Sequence, residues 1–553
     1  MMQPFGSRLC SLLGISGLLL ACAGSGDDEA SQAAVDPSFL PPAELQRRVE
    51  SALGAAEEHG VLPLASPSAG ANDRYEDIRG ERLHADLRAL TEFSLQSQRD
   101  GHPLWGRTAG SVYERQAAEW VRDRFEELGL EQVTLDAVAL EPLWGLRELR
   151  LSLVGGSAPG TPAVDLELRS AMAGFGSPST PPEGLEAPLV YVGLGTAADL
   201  RGRDLSGKIA LVHGRALGGA HLNTGESALS RIVRAGKAVG VLVIVDQPGN
   251  AQVLTRNGPD GPRIPNMTLG FLDGTYLRKA IEQAPAGRPP RVRMLIRAEQ
   301  QAGLATSSVS ALLPGTGDEV IAFQAHLDGY WQAVTDNGGG VATLLGLARH
   351  FAARLPQTRQ RSLLFIVTGG HENGSVGASH FARTHRALLE RTALVIEIEH
   401  AASTLVSHTM GGHYQNTSVE APIGIFVTNQ SPLVLKAFRE AAESYGVPVN
   451  QAHMPFYWGD IIGLMPSGVV ASGWIGSNFY YHSSLDSLET VRPRSLERIA
   501  RATAQVADTL DGYTRAELEA GSTPFETPDA YRDGGHALPS PLRTLLDFTR
   551  TLW

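Results

Sequence analysis

Val320-Ile321-Ala322-Phe323-Gln324-Ala325-His326-Leu327-Asp328 is a short apolar run that ends in two side chains able to meet a metal. The same arrangement recurs downstream. Leu363–Val367 leads into His371 and Glu372, and Leu394–Ile398 leads into Glu399 and His400. Ile423–Val427 is a fourth run of this kind. Helical patterns at Gly339–Leu355, Ser431–Tyr445 and Pro493–Leu510 alternate with them, the second marked by Ser431 as N-cap, Pro432 in the first turn and Gly446 as a stop. Strand, loop and helix in alternation predict an α/β fold: a three-layer αβα sandwich with a mostly parallel central sheet.

In open α/β sheets, ligands collect beyond the carboxyl ends of strands. Two further segments put metal-competent groups near such ends. Asp336 opens Asp336-Asn337-Gly338-Gly339-Gly340, and His482 lies in Tyr481-His482-Ser483-Ser484-Leu485-Asp486. The glycine run lacks the Gly-Lys-Ser/Thr of a phosphate loop. Imidazoles and carboxylates together suit Zn2+, and a hydrolytic two-metal site needs a bridging group and open positions for water and substrate. Any one of these elements is weak; their order at successive strand ends carries the metal reading.

These motifs resemble metallopeptidase family 28, the co-catalytic zinc aminopeptidases and their relatives, over roughly Glu81 to Gly512. The matching stretches are His326-Leu327-Asp328, Asp336-Asn337-Gly338-Gly339-Gly340, Gly370-His371-Glu372-Asn373-Gly374, Glu397-Ile398-Glu399 and Tyr481-His482 through Asp486. The resemblance implies up to two zinc ions: His326 on one, Asp336 bridging, and Glu372 and His482 on the other. It assigns Asp328 to orienting His326. Asp460 and Gly468 also match the family's pattern, although Ile461 replaces its histidine.

Two departures stand out. Glu399 occupies the place of the family's third ligand to the first zinc, an aspartate, with His400 as a rival that strand alternation disfavours. His371 occupies the place of the general-base glutamate. A neutral imidazole can accept a proton, yet the change removes a negative charge from a cationic site. Glu397, two residues before Glu399 and so on the same strand face, is expected either to look toward the metals and restore that carboxylate or to pair with an arginine.

Upstream, helical periodicity from Glu81 to Leu130 places Ala117, Trp120, Val121, Phe125 and Leu128 on one face. Strand-like runs follow near 149–153 and 164–168, and the Pro- and Gly-rich loop Gly174–Gly184 marks a boundary. Residues 185–290 read as a separate β-rich module. Its runs Leu189–Val192, Ile209–Val212 and Val241–Val245, with Gly207-Lys208 before the second and Ile264-Pro265 late, resemble the protease-associated (PA) domain. The catalytic domain is therefore expected in two pieces, 80–184 and 291–513, followed by an uninterpreted tail, 514–553.

The 553 residues are too many for one compact domain. With 47 basic and 59 acidic residues, the net charge of −12 argues against a nucleic-acid binder. Arg8 and the short apolar run to Leu20 describe an export signal over residues 1–21. Leu19-Leu20-Ala21-Cys22 resembles a bacterial lipobox, which implies a lipid on Cys22 and a place in the cell envelope, with residues 22–79 as a tether. Three readings follow: a zinc-dependent exopeptidase, foremost an aminopeptidase acting on peptides; a binding or receptor-like protein that has lost turnover, which His371 favours; and another hydrolase or acyl-transfer chemistry on this fold. Trp331, Tyr457, Trp458, Trp474 and Tyr480 lie close in sequence to the site and are candidates for lining a substrate pocket or for ordinary core.

Overall fold

The computed structural model describes residues 73–214, 229, 231–245, 249–255, 264–408, 414–454, 459–464, 467–476 and 480–522. Cys22, the expected export signal and the tail beyond 522 lie outside the described residues, as do Tyr457 and Trp458. No helix among the described residues is long and apolar enough to cross a membrane.

Eight strands form the central sheet: β1 (Glu131–Ala139), β2 (Ala305–Leu313), β3 (Val320–His326), β4 (Ser362–Thr368), β5 (Thr392–Glu399), β6 (Ile423–Val427), β7 (Val449–Met454) and β8 (Ala471–Gly476). Their spatial order is β7-β6-β8-β5-β3-β4-β2-β1. The centre is parallel, with β3 flanked by β4 and β5, and β5 paired with β8. Antiparallel pairs, β4–β2–β1 on one side and β8–β6 on the other, make the sheet mixed.

Central strands buried on both faces read as continuous apolar runs, and here alternate residues enter different cores. Ile321, Phe323, Ala325, Phe365 and Ile396 meet helices α1 (Gly80–Arg99), α2 (Val112–Glu127), α3 (Gly339–Ala352), α4 (Pro432–Tyr445) and α5 (Pro493–Asp511). Val320, Ala322, Leu364, Ile366 and Val395 meet the short helices on the other face through Ala378, Phe381 and Leu389. Phe323 stacks on Phe365 at 5.3 Å between ring centroids, and burying each such ring stabilises the fold by about 1.5–3 kcal/mol. The helix ends follow local chemistry. Ser111 Oγ accepts from Glu114 N, Ser431 Oγ accepts from Val434 N, and Gly446 closes α4 in the left-handed region.

The second sheet changes the expected domain limits. It runs Leu166–Glu167, Leu143–Leu153, Arg291–Gln301, Leu185–Tyr191, Ile209–His213, Gly240–Ile244, Asn266–Leu269, Met172–Ala173 in spatial order. Leu143–Leu153 and Arg291–Gln301 were assigned to the catalytic pieces, yet they pair with each other along their length and lie in this sheet. The inserted sheet thus spans 143–301 rather than 185–290. The tether is corrected at its end as well: Tyr75 and Ile78 are buried, and Tyr75 Oη donates to Asp508 at 2.8 Å. Beyond α5, Thr514 caps a short helix, Arg515–Glu519, that buries Leu518 in the main core, so the ordered unit passes the expected limit of 513.

Candidate metal centre

The ends of β3, β4 and β5 lie side by side, and the loops that leave them converge. The loop after β3 is pinned from beneath by Arg107, fully buried, whose guanidinium donates to the carbonyls of Leu327 (3.0 Å), Gln332 (3.1 Å) and Ala333 (2.9 Å). Nothing in the sequence singled out Arg107. Asp336 follows, its backbone N–H donating to Asp486 Oδ2 at 3.2 Å while Thr335 N donates to Oδ1 at 2.8 Å. The glycine run is a packing requirement, since a Cβ on Gly340 would lie 2.4 Å from the Ile398 carbonyl. Asn337 Nδ2 donates to Glu399 Oε2 at 2.9 Å and so orients that carboxylate.

Two ligand groups result, sharing Asp336. His326, Asp336, Glu399 and His400 form one, and Asp336, Glu372 and His482 the other. In the first, His326 Nε2 lies 3.1 Å from Asp336 Oδ1 and 3.2 Å from Glu399 Oε1; His400 Nε2 lies 3.2 and 3.1 Å from the same two oxygens. In the second, His482 Nε2 lies 2.9 Å from Glu372 Oε1 and 3.5 Å from Asp336 Oδ2. His400 enters against expectation. Its φ of 48° abandons the extended conformation at the strand end, so the alternation that should have turned it away no longer applies.

The donor set fits divalent metal. Among the described residues, Asp336 Oδ1 and His400 Nε2 are buried without a hydrogen-bond partner, a costly state that coordination would relieve. The charges agree. Burial disfavours charge on His400, yet Asp336 and Glu399 overcome it and push its imidazole up to about 10. Burial alone would likewise raise Asp336, but His400 and His326 hold it well below the usual carboxylate range. The cavity calls for positive charge.

Asp328 takes a different role from the one expected. His326 Nδ1 meets the Asp328 backbone carbonyl at 3.0 Å, while the nearest carboxylate oxygen is 3.9 Å away. The carboxylate accepts from the backbone N–H groups of His371 and Glu372, both at 3.0 Å, and so fixes the loop after β4. Burial, opposed by His326 and aided by Glu372, pushes it up to about 6.

His371 stacks on His326 with ring centroids 3.9 Å apart, and its Nδ1 lies 2.9 Å from Asp460 Oδ1. Thr368 Oγ1 donates to the other oxygen of Asp460. Glu397 belongs to neither ligand group, and among the described residues it pairs with no arginine, so neither expected role is met. Its Oε1 accepts from Asp460 N at 2.6 Å and Ile461 N at 3.3 Å, so it supports the loop that carries Asp460. Burial first, then the charges of Glu399 and Asp460, push Glu397 well above the usual carboxylate range.

His482 depends on the inserted module. Leu254 N donates to the His482 carbonyl at 2.9 Å, Ser484 N to the Gln252 carbonyl at 2.9 Å, and Gln252 N to Ser484 Oγ at 3.0 Å. Val253 and Ser483 form an isolated antiparallel bridge. Of the candidate pocket aromatics, Trp474 is core, its Nε1 donating to Thr503 Oγ1 at 3.0 Å, and Trp331 and Tyr480 are fully buried.

Residues 308–507, which hold every ligand and the central sheet apart from β1 and the start of β2, match the model of peptidase family M28. This segment is similar to the M28 peptidases. The wider chain is similar to carboxypeptidase Q of Rattus norvegicus, 23% identical over 265 residues, 47% of this chain and 51% of that protein. The chain therefore spans about half the length of that relative. Among solved structures, the peptidase M28 precursor of Shewanella amazonensis SB2B superposes with a TM-score of 0.60 at 19% identity, covering 83% of this chain and 98% of that one. The zinc aminopeptidase BSAP of Bacillus subtilis superposes at 0.56 and 19%, covering 78% and 94%. At such identities these neighbours establish the M28 fold of the chain.

Proposed function

We propose that the chain is a metal-dependent exopeptidase, foremost an aminopeptidase that releases N-terminal residues from peptides. The observation that carries this is the pair of buried ligand groups joined by Asp336, with the His371–Asp460 pair beside them. His326, Asp336 and Glu399 would hold one ion, and Asp336, Glu372 and His482 a second. Divalent ions held there supply Lewis acidity and acidify water. With Asp460 accepting from Nδ1–H, His371 keeps Nε2 as its free acceptor. That nitrogen takes the proton of the attacking water and returns it to the leaving amine as the C–N bond breaks. The M28 family match and the name of the Bacillus neighbour support this reading.

A second reading is favoured by His371 standing where the family carries glutamate: a binding protein that holds metal without turnover. One experiment separates the two. Purified protein is analysed for metal and offered aminoacyl-anilides and short peptides with free or acetylated N-termini. The aminopeptidase reading expects up to two zinc ions per chain and turnover that acetylation abolishes. Two ions without turnover on any substrate would leave the binding protein, and cleavage indifferent to acetylation would refute N-terminal specificity.

We further propose that Cys22 carries a lipid that holds the enzyme at a cell-envelope membrane, a reading that rests on Leu19–Cys22 in the sequence. Cys22→Ser is expected to yield protein without an acyl mass that partitions with the soluble fraction. Wild-type protein lacking any acyl mass would refute it.

A further inference from the structure

The two ligand groups are unequal: one offers four side chains and the other three. Zinc binds nitrogen and oxygen at about 2.0–2.2 Å, so the corners of a tetrahedral set lie roughly 3.3 Å apart. In the first group, four edges between imidazole nitrogens and carboxylate oxygens measure 3.1–3.2 Å. His400 Nε2 lies this close to two carboxylate oxygens, yet it makes an aligned hydrogen bond to neither and is buried. Its nitrogen is placed as a ligand would be.

The backbone is built for this placement. His400 adopts a left-handed φ of 48°, uncommon for a residue with a side chain. The neighbouring strand leaves room for it only through glycine, since a Cβ on Gly476 would lie 1.9 Å from the His400 carbonyl. Tyr481 packs edge-on against the imidazole at 5.5 Å, limiting its rotation.

Resting on the two-metal reading above, we propose that His400 is a fourth protein ligand of the first ion. Side chains then complete that ion's coordination. The ion shared by Asp336, Glu372 and His482 alone keeps an open position for water and substrate. In zinc proteins, four protein ligands mark a site that holds structure, and three mark a site that reacts.

Cobalt(II) titration of metal-free, full-length protein tests this through absorption spectra rather than activity. The wild type is expected to bind a first equivalent with the intense visible bands of four-coordinate cobalt and a second with weaker bands. His400→Ala should lose the intense bands and weaken the tighter site by more than the roughly 10–100-fold expected when only a supporting side chain is removed. His400→Cys should restore tight binding and add a thiolate-to-cobalt band in the near ultraviolet above the wild-type background. That band carries the test should the alanine variant fail to fold. Two cobalt ions bound with unchanged spectrum and affinity in His400→Ala would overturn the proposal, as would a cysteine variant that binds two ions without the new band. Wild-type protein that takes up no cobalt would overturn the two-metal reading itself, which the variants alone cannot do.

Discussion

Asp336→Ala is expected to abolish peptidase activity and to reduce bound metal below two ions per chain. Asp336 is the one side chain common to both ligand groups. Its removal deprives each ion of a ligand and leaves the cavity with one carboxylate fewer to balance its cations. If the ions together lower the barrier by even about 6 kcal/mol, as Lewis acids and activators of water do, their loss slows turnover by about 10⁴-fold. Elemental analysis and kcat/KM on a responsive anilide check the two halves together. Retention of both ions with activity within tenfold of wild type would refute the bridging role.

His371→Ala is expected to keep its metals and to lose about 10²–10⁴-fold in kcat, the range for a positioned proton acceptor. Asp460→Asn should lose about 10²-fold or more, because an amide can donate to Nδ1 and hold the ring in the wrong tautomer. His371→Glu, which restores the family residue by sequence, should not rescue. It would set a second carboxylate against Asp460, which now lies 2.9 Å from the imidazole. Glu397→Gln should stay within a few-fold of wild type, since Oε1 accepts two backbone N–H groups that an amide oxygen also accepts. A His371→Ala enzyme with full kcat would end the proton-acceptor role.

The strands of the catalytic sheet were legible because burial on both faces writes them as unbroken apolar runs, and their chemistry stands just beyond the last apolar residue. His326, Glu372 and Glu399 stand close after such runs, whereas the roles of Asp336 and His482 came through the resemblance of their motifs to family 28. What periodicity could not show lies where the chain leaves it. His400 reaches the site through one left-handed residue at a strand end. Glu397 obeys strand alternation, but a loop far along the chain, 459–461, folds over its carboxyl. The width of the inserted sheet depended on Leu143–Leu153 finding Arg291–Gln301, a long-range pairing that neither strand declares by itself. Arg107 serves three carbonyls of a loop distant in sequence, and a buried arginine has no pattern.

The bridge between Val253 and Ser483 bears on the order in which the protein can be assembled. During synthesis the module is complete long before His482 leaves the ribosome, and chains generally fold from their N-terminal units onward. The module thus stands as a preformed template on which the last ligand loop is registered, by three hydrogen bonds that join His482 and Ser484 to Gln252 and Leu254. Contacts so distant in sequence close late and slowly. A chain whose module fails to fold is therefore expected to lack the contacts that register His482, the ligand of the second group alone.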